Sequence, residues 1–479
     1  MELTQSVILY PSLGMGHLIP MLELAKLFID HGFSVTIVVI DSPQSDTSSA
    51  VDSFISRASS SYPSLSFHRL PKVAPPASKH PMIFLSETVR LANDNLLDFL
   101  SSKKSTSDIR AVVLDMFCSV SLDVVEELHL PSYFFFSSSA SILAACLFFP
   151  TLQSQLAGSL RDLGSSPLHF PGLPPIPASD LPAHMQVPGE SYDAALAHFV
   201  RMPRADGIMI NTFESLEKRA VRALVDGACV PGRAMPPVYC IGPLIADGSD
   251  AEECGERHEC LAWLDAQPER SVVFLCFGSM GSFPTEQLKE TANGLERSGQ
   301  RFLWVVRSPP SDPAKPFDQP MPEAELEDLL PEGFLERTRE QGMVVESWAP
   351  QAAVLAHRSV GGFVSHCGWN STLEAVCSGV PMLGWPLYAE QRMNCVFLVE
   401  EAKVAVAMEG LHKGLVTADE VETKIRRLME SDEGRALGER MAATKERAVA
   451  ARMEGGESTL ALLELVTALR KATPATGGA

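Results

Sequence analysis

Residues 348–391 read WAPQAAVLAHRSVGGFVSHCGWNSTLEAVCSGVPMLGWPLYAEQ, and the order of apolar runs and breakers in this box predicts strands and helices in alternation. Trp348, Ala349, Pro350 and Gln351 open a short helix, since proline's missing N–H costs nothing at a first helical position. Gly361 and Gly362 precede a brief strand over 363–365. His366, Cys367 and Gly368 then turn the chain into a helix over about 370–378, which Gly379 stops. Another buried strand spans 381–385, and Glu390 and Gln391 stand at the head of the next helix. Strand–helix alternation of this kind places the chain in the α/β class.

Each polar residue of the box falls at a strand end or a helix start, where a ligand can reach it. The first N–H groups of a helix are unpaired and its dipole favours negative charge, so Asn370 and Ser371 suit a diphosphate. His366, just before them, is expected to add a charge-assisted hydrogen bond. Glu374, one turn on, can accept from both hydroxyls of a ribose. Trp348 offers a flat face for a uracil ring, a contact worth roughly 1–3 kcal/mol when bases stack on aromatics. Singly, each of these is more often structural. Together, three groups converge on one helix start within nine residues.

Outside the box the same alternation repeats. Residues 6–10 predict a strand feeding the glycine loop PSLGMGH at 11–17, then a helix with Met21, Leu24, Ala25 and Phe28 on one face. The β-branched run 35–40 reads as a parallel strand covered on both sides. Residues 42–66 are serine-rich and read as loop, with a short helix around 50–57. Further strands are expected at 111–114, ending in Asp115, and at 132–136. The second half opens with a strand over 272–277, the turn FGSMG at 277–281, a helix over 285–297 and a strand over 302–306. Two doubly wound units therefore share the chain.

Length and composition agree. With 479 residues, 46% of them hydrophobic, the chain exceeds the size at which one core usually splits into two. A net charge of −20 excludes nucleic acid and anionic membrane surfaces, which require dense Lys or Arg. The ten cysteines show neither CxxC pairs nor Cys/His metal spacing and read as reduced thiols of a cytoplasmic protein. No secretory signal is evident at the N-terminus. The uncharged stretch 128–160 carries Pro131, Pro150 and seven serines, so a buried strand and helix are expected there rather than a membrane span. No DxD pair occurs to clamp a metal on a diphosphate.

The box, with its Trp start, HCGWNS centre and Glu-Gln end, resembles the signature box of the plant UDP-sugar-dependent glycosyltransferases of secondary metabolism. The glycine loop at 11–17, the FGSMG turn and the box follow the order that family shows, and the likeness spans nearly the whole chain. The resemblance implies a GT-B architecture, two Rossmann-like domains facing each other across a cleft, and an inverting transfer without metal or cofactor, UDP-glucose being a co-substrate. It implies an acceptor domain over 1–244, a linker over 245–258, a donor domain over 259–455, a last helix over 456–472 returning to the first domain, and a disordered tail over 473–479. The proline-rich segment 308–331 is expected to be a mobile surface loop.

The resemblance also places a catalytic dyad on His17 and Asp115. The residues themselves support it: a helix start disfavours a charged imidazole and leaves a neutral base, and an Asp at a neighbouring strand end can fix its tautomer. Donor binding is assigned to Ser279, Trp348, Ala349, Gln351, His366, Trp369, Asn370, Ser371, Glu374, Glu390 and Gln391. Gln391 and Trp369 resemble glucose users, whereas His at the end of the box accompanies galactose and Arg in place of Trp369 accompanies glucuronate. Acceptor walls are expected at Met116, Phe117, Phe136 and Ser137, with Tyr388 from the box. The acceptor is expected to be a flavonoid, chalcone or simpler phenol, and the protein a monomer that binds neither nucleic acid nor membrane.

Three other readings stay open on the residues alone. Transfer to carbon instead of oxygen needs the same machinery. A silent carrier of nucleotide sugar or phenol would keep the box but need no base. A nicotinamide dehydrogenase would use the first glycine loop, yet Ile19 stands where the third glycine of its fingerprint belongs.

Overall fold

The computed structural model describes residues 4–43, 48–246, 252–253, 256–309 and 325–471. The expected tail at 473–479, most of the proline-rich segment and part of the linker lie outside the described residues. The chain divides into two compact units, one running to Leu244 and resuming at Ala450, the other beginning at Ile245 and ending at Val449.

The first unit is built on a seven-stranded sheet. Its strands are β1 (Gln5–Tyr10), β2 (Ser34–Val39), β3 (Leu65–Arg69), β4 (Asp108–Asp115), β5 (Ser132–Phe136), β6 (Gly207–Ile210) and β7 (Val238–Cys240). They lie in the order β3-β2-β1-β4-β5-β6-β7, every pair parallel. β5 is buried at every position, as a strand covered on both faces requires. Helix α1 (Met15–Asp30) sends Met21, Leu24, Ala25 and Phe28 onto Val7, Leu9, Val35 and Ile37. Each such side chain contributes about 1.5–3 kcal/mol on burial.

In residues 42–66 the expected short helix is present but longer, and a strand stands where loop was expected. Helix α2 (Ser48–Ser61) and strand β3 occupy much of this segment, because Phe54, Ala58 and Leu65 pack into the same core and outweigh the serine content. Helix α3 (Pro81–Leu91) follows on the way to β4. Residues 128–160 form β5 and helix α4 (Ala140–Gln155). The α4 start is held by Ser139 Oγ and by the buried Glu217 carboxylate, which accepts from the N–H groups of Ala140 and Ser141 at 2.9 Å each. Helix α5 (Glu190–Arg201) comes next. Among the described residues no helix is long and apolar enough to cross a membrane.

The second unit has six parallel strands: β8 (Val272–Cys276), β9 (Arg301–Val306), β10 (Gly342–Glu346), β11 (Val360–Ser365), β12 (Met382–Gly384) and β13 (Ala405–Ala407), in the order β10-β9-β8-β11-β12-β13. Helices α6 (Thr285–Ser298), α7 (Gln351–Ala356), α8 (Trp369–Ser378), α9 (Gln391–Val396) and α10 (Ala418–Glu430) connect or cover them. Gly361 and Gly362 lie inside β11 rather than before it. A Cβ on Gly361 would meet the Arg270 carbonyl oxygen at 2.3 Å, so the strand runs through a gap only glycine fits. Pro350, expected at the first helical position, is instead the N-cap of α7, which starts one residue later at Gln351.

Helix α11 (Asp432–Arg452) carries the chain from the second unit into the first, the change falling at Ala450, ahead of Gly455. Helix α12 (Glu457–Lys471) then buries Leu462, Leu465, Val466 and Leu469 in the core of the first unit. Its ends are tied by Ser458 Oγ donating to the Gly242 carbonyl at 2.6 Å and by Arg470 donating to the His31 carbonyl at 2.7 Å.

Candidate active site

In a doubly wound sheet the strand order reverses at one point, and a crevice opens there beyond the carboxyl ends of the two strands. In the first unit that point lies between β1 and β4, which pair Tyr10 with Leu114. The loop after β1 carries His17, and β4 ends in Asp115. Gly14 caps α1 at φ 97°, a conformation that favours glycine, and His17 becomes the third residue of the helix. Its Nδ1 lies 2.9 Å from Asp115 Oδ2. Asp115 has no exposed surface, while the His17 side chain is 23% exposed. An ionised carboxylate only accepts, so Nδ1 carries the proton and Nε2 holds the lone pair. The other Asp115 oxygen accepts from the Phe117 N–H at 3.0 Å and caps the turn Met116–Ser121. The Phe117 ring meets the His17 ring edge-on, centroids 5.3 Å apart.

Met116 and Phe117 are partly exposed and Ser137 is nearly buried. Phe136 is a correction: although it ends β5, it has no exposed surface and belongs to the core, together with Phe134 and Phe135. Tyr388 belongs to the second unit and is 42% exposed.

In the second unit the reversal lies between β8 and β11, where Cys276 pairs with Ser365. The FGSMG turn leaves β8, and His366 follows β11. Glycines make the space for this imidazole: a Cβ on Gly278 would lie 2.6 Å from His366 Nε2, and one on Gly368 would lie 2.4 Å from it. Cys367 takes φ 63° to turn the chain into α8, a conformation rare for a side chain with Cβ. His366 Nδ1 is buried and finds no hydrogen-bond partner among the described residues. Burial and the neighbouring Arg307 push His366 down to about 4. The ring therefore tends to the neutral form, so in a bond from it to an ionised diphosphate the charge would come from the acceptor alone.

The positive charge here comes from Arg307, which the sequence reading missed. Its guanidinium donates to the Gly278 carbonyl, holding it at the FGSMG turn. Its position at the carboxyl end of β9, next to β8, was the available signal. Ser279 is exposed on the same turn, and Asn370 and Ser371 occupy the first turn of α8.

Gln351 binds Ser371 and Glu374 together, its amide lying 2.8 Å from Ser371 Oγ and 2.6 Å from Glu374 Oε2. Burial pushes the Glu374 carboxyl up to about 7. Trp348 follows Ser347, at φ 62°, is 44% exposed, and meets His258 edge-on. Ala349 is buried behind it. The indole of Trp369 is buried against Phe397, so any part it has in choosing a sugar is indirect. Gln391 is likewise turned inward: its carbonyl accepts from the N–H groups of Leu387 and Tyr388 at 2.9 and 3.0 Å, and holds the loop that carries Tyr388 and Glu390. Among the described residues no group of three His, Cys, Asp or Glu side chains gathers as a metal site.

Two doubly wound sheets, one with a His–Asp pair at its reversal point and the other with a cationic, N–H-rich turn beside a carboxylate and an indole, define a nucleotide-sugar-dependent transferase of GT-B architecture. The family model for UDP-glucoronosyl and UDP-glucosyl transferase matches residues 216–434. A UDP-glycosyltransferase of Stevia rebaudiana, 88B1, is 45% identical over 96% of this chain and 98% of its own. An anthocyanidin 5,3-O-glucosyltransferase of a Rosa hybrid cultivar is 43% identical over 96% and 98%. Among solved structures, a UDP-glucosyltransferase of Polygonum tinctorium capable of glucosylating indoxyl is similar with TM-score 0.87 and 37% identity, over 98% of this chain and 99% of that one. UGT2 of Phytolacca americana, complexed with UDP-2fluoro-glucose and pterostilbene, gives 0.85 and 36%, over 98% and 99%. The chain belongs to the UDP-glucoronosyl and UDP-glucosyl transferase family.

Proposed function

We propose that this enzyme transfers glucose from UDP-glucose to a hydroxyl of a flavonoid, chalcone or related small phenol, with inversion at the anomeric carbon. The observation that carries the reading is the buried Asp115 carboxylate 2.9 Å from His17 Nδ1. That bond orients the imidazole so that Nε2 takes the phenol proton as the oxygen attacks, a contribution of roughly 10²–10⁴-fold. Asp115 stabilises the imidazolium once it forms. The bond from the anomeric carbon to the β-phosphate oxygen breaks as the new bond forms on the opposite face. The charge left on UDP falls to the α8 N–H groups, Ser279, Asn370, Ser371, His366 and the Arg307 guanidinium.

Trp348 stacks the uracil, Glu374 accepts from the ribose, and Glu390 faces the sugar in this reading, on the loop that Gln391 holds. Met116, Phe117 and Ser137 contribute to the acceptor wall. The rose and Phytolacca relatives, whose names or ligands carry phenols, support an aromatic acceptor. The reading takes the enzyme as a cytosolic monomer, and the nine described cysteines, eight of them buried, suit a reducing compartment.

The test is UDP release and product mass with UDP-glucose, UDP-galactose and UDP-glucuronate against a panel of flavonoids, chalcones and phenols. Glucose is expected as the preferred sugar, and a chelator should leave the rate unchanged. His17→Ala should lower O-transfer at least about 10²-fold while UDP still binds. Full-rate transfer without His17 would overturn the base assignment.

A further inference from the structure

His198 lies outside the dyad and outside every donor contact, yet it is 2% exposed and both of its ring nitrogens are hydrogen-bonded. Nδ1 is 2.6 Å from Ser119 Oγ and Nε2 is 2.9 Å from Ser86 Oγ. The three residues come from three elements: His198 from α5, Ser86 from α3 and Ser119 from the turn Met116–Ser121. Each hydroxyl can donate or accept, so in the neutral ring one nitrogen donates and the other accepts. Only a neutral imidazole can do both. Burial pushes this one down to about 4, against the opposing influence of Asp115 and with that of Arg201 and His184.

The turn that His198 grips is the one Asp115 caps. Asp115 Oδ1 accepts from the Phe117 N–H, Asp115 Oδ2 meets His17, and Ser119 Oγ, two residues past Phe117, is fixed by His198. The Phe117 ring stands edge-on to both imidazoles, 5.3 Å from His17 and 6.1 Å from His198. Inside this turn Cys118 leaves helical geometry, at φ −91° and ψ 17°, so the backbone does not hold its shape by helix hydrogen bonds alone.

We propose that His198 is a positioning residue for the transfer: by fixing Ser119 between α3 and α5 it sets Asp115 and the Phe117 ring against His17, and so sets the direction of Nε2. A displacement of Nε2 by about 1 Å is enough to lose roughly 10²-fold in rate. The inference rests on His17 acting as the base. A core histidine that merely satisfies its own hydrogen bonds would leave proton transfer unaffected, and that difference can be measured.

The experiment compares His198→Phe, His198→Gln and Ser119→Ala on a series of phenols of graded acidity with saturating UDP-glucose. His198→Phe is expected to lower kcat about 10–100-fold on weakly acidic phenols and progressively less on nitrophenols, which need less help from a base. KM for UDP-glucose should stay within about twofold. Added to His17→Ala, the same substitution should cost less than about twofold more, since residues acting through one group are not additive. His198→Gln, whose amide also donates and accepts, should recover most of the rate. Ser119→Ala removes a single bond and should show the same dependence on acceptor acidity, which keeps the test open if His198→Phe does not fold. An equal loss across all phenols, or full additivity with His17→Ala, overturns the proposal. Undiminished transfer by His17→Ala alone would instead reject the base on which it rests.

Discussion

Glu374 shows how much a single residue's surroundings matter. Sequence places this carboxyl one turn into α8, where solvent and a ribose are equal candidates as partners. Burial pushes the carboxyl up to about 7, the Gln351 amide pulling the other way. In the unliganded protein its folded value stands above the ordinary one of 4.5. The proton it keeps therefore stabilises the fold at low pH, and that contribution is lost as pH rises through about 7. Glu374→Gln should accordingly raise stability at pH 8 by about 1–3 kcal/mol, seen as a higher Tm, and change it little at pH 5.

Ribose binding runs the other way, because the acceptor of two hydroxyl protons is the ionised form. UDP affinity should fall by up to about tenfold per pH unit below 7. The β-phosphate, with a pKa near ~6, titrates in the same window. The comparison is therefore the slope lost in Glu374→Gln, measured by calorimetry between pH 5.5 and 8. An unchanged slope would remove Glu374 from ribose recognition.

At the scale of elements, the glycines of the donor turn carry their meaning through their neighbours. Gly278 stands at φ 74° with a missing Cβ that would lie 2.6 Å from His366, and that neighbour sits on another strand end. Gly278→Ala combines backbone strain of about 1–3 kcal/mol with a displaced imidazole. A lower Tm and a UDP Kd raised at least about tenfold are expected, the latter equal to about 1.4 kcal/mol. A Kd within twofold of the parent would show that His366 does not take part in holding the diphosphate. The sequence marked this turn as glycine-rich but gave no sign of what the glycines make room for. The β3 strand was missed for a related reason: serines dominate the local composition of 42–66, whereas the few apolar residues between them settle the matter by packing on β2 and α1.

Across the whole molecule, the chain leaves its first unit at Leu244 and returns to it at Ala450. The core of the first unit is thus finished by its last helix, with Leu465 and Leu469 fully buried in it. Leu465→Ala should destabilise that unit by roughly 2–5 kcal/mol. Hydrogen exchange would read this as faster opening of β1 and β4 amides, with β8 and β11 unaffected. Equal acceleration in both sheets would contradict it. Two cores in one chain also mean that a Tm change is read from the transition of the unit that carries the substitution.

Legible in the sequence alone were the α/β class, the doubling of the wound unit and the loops at strand ends, while resemblance to a family marked the candidate reactive residues. These are local matters, set by hydrophobic period, caps and breakers within a few residues. Only the tertiary structure decided which of those residues meet and in what electrical state. His17 and Asp115 are 98 positions apart, and their bond depends on β1 and β4 being neighbours in the sheet. Desolvation by distant chain pushes His366 towards its neutral form and Glu374 towards its protonated one, and it is the packing of β5 that turns Phe136 into core. Charge and contact depend on everything that surrounds a group, and most of those surroundings lie far away along the chain.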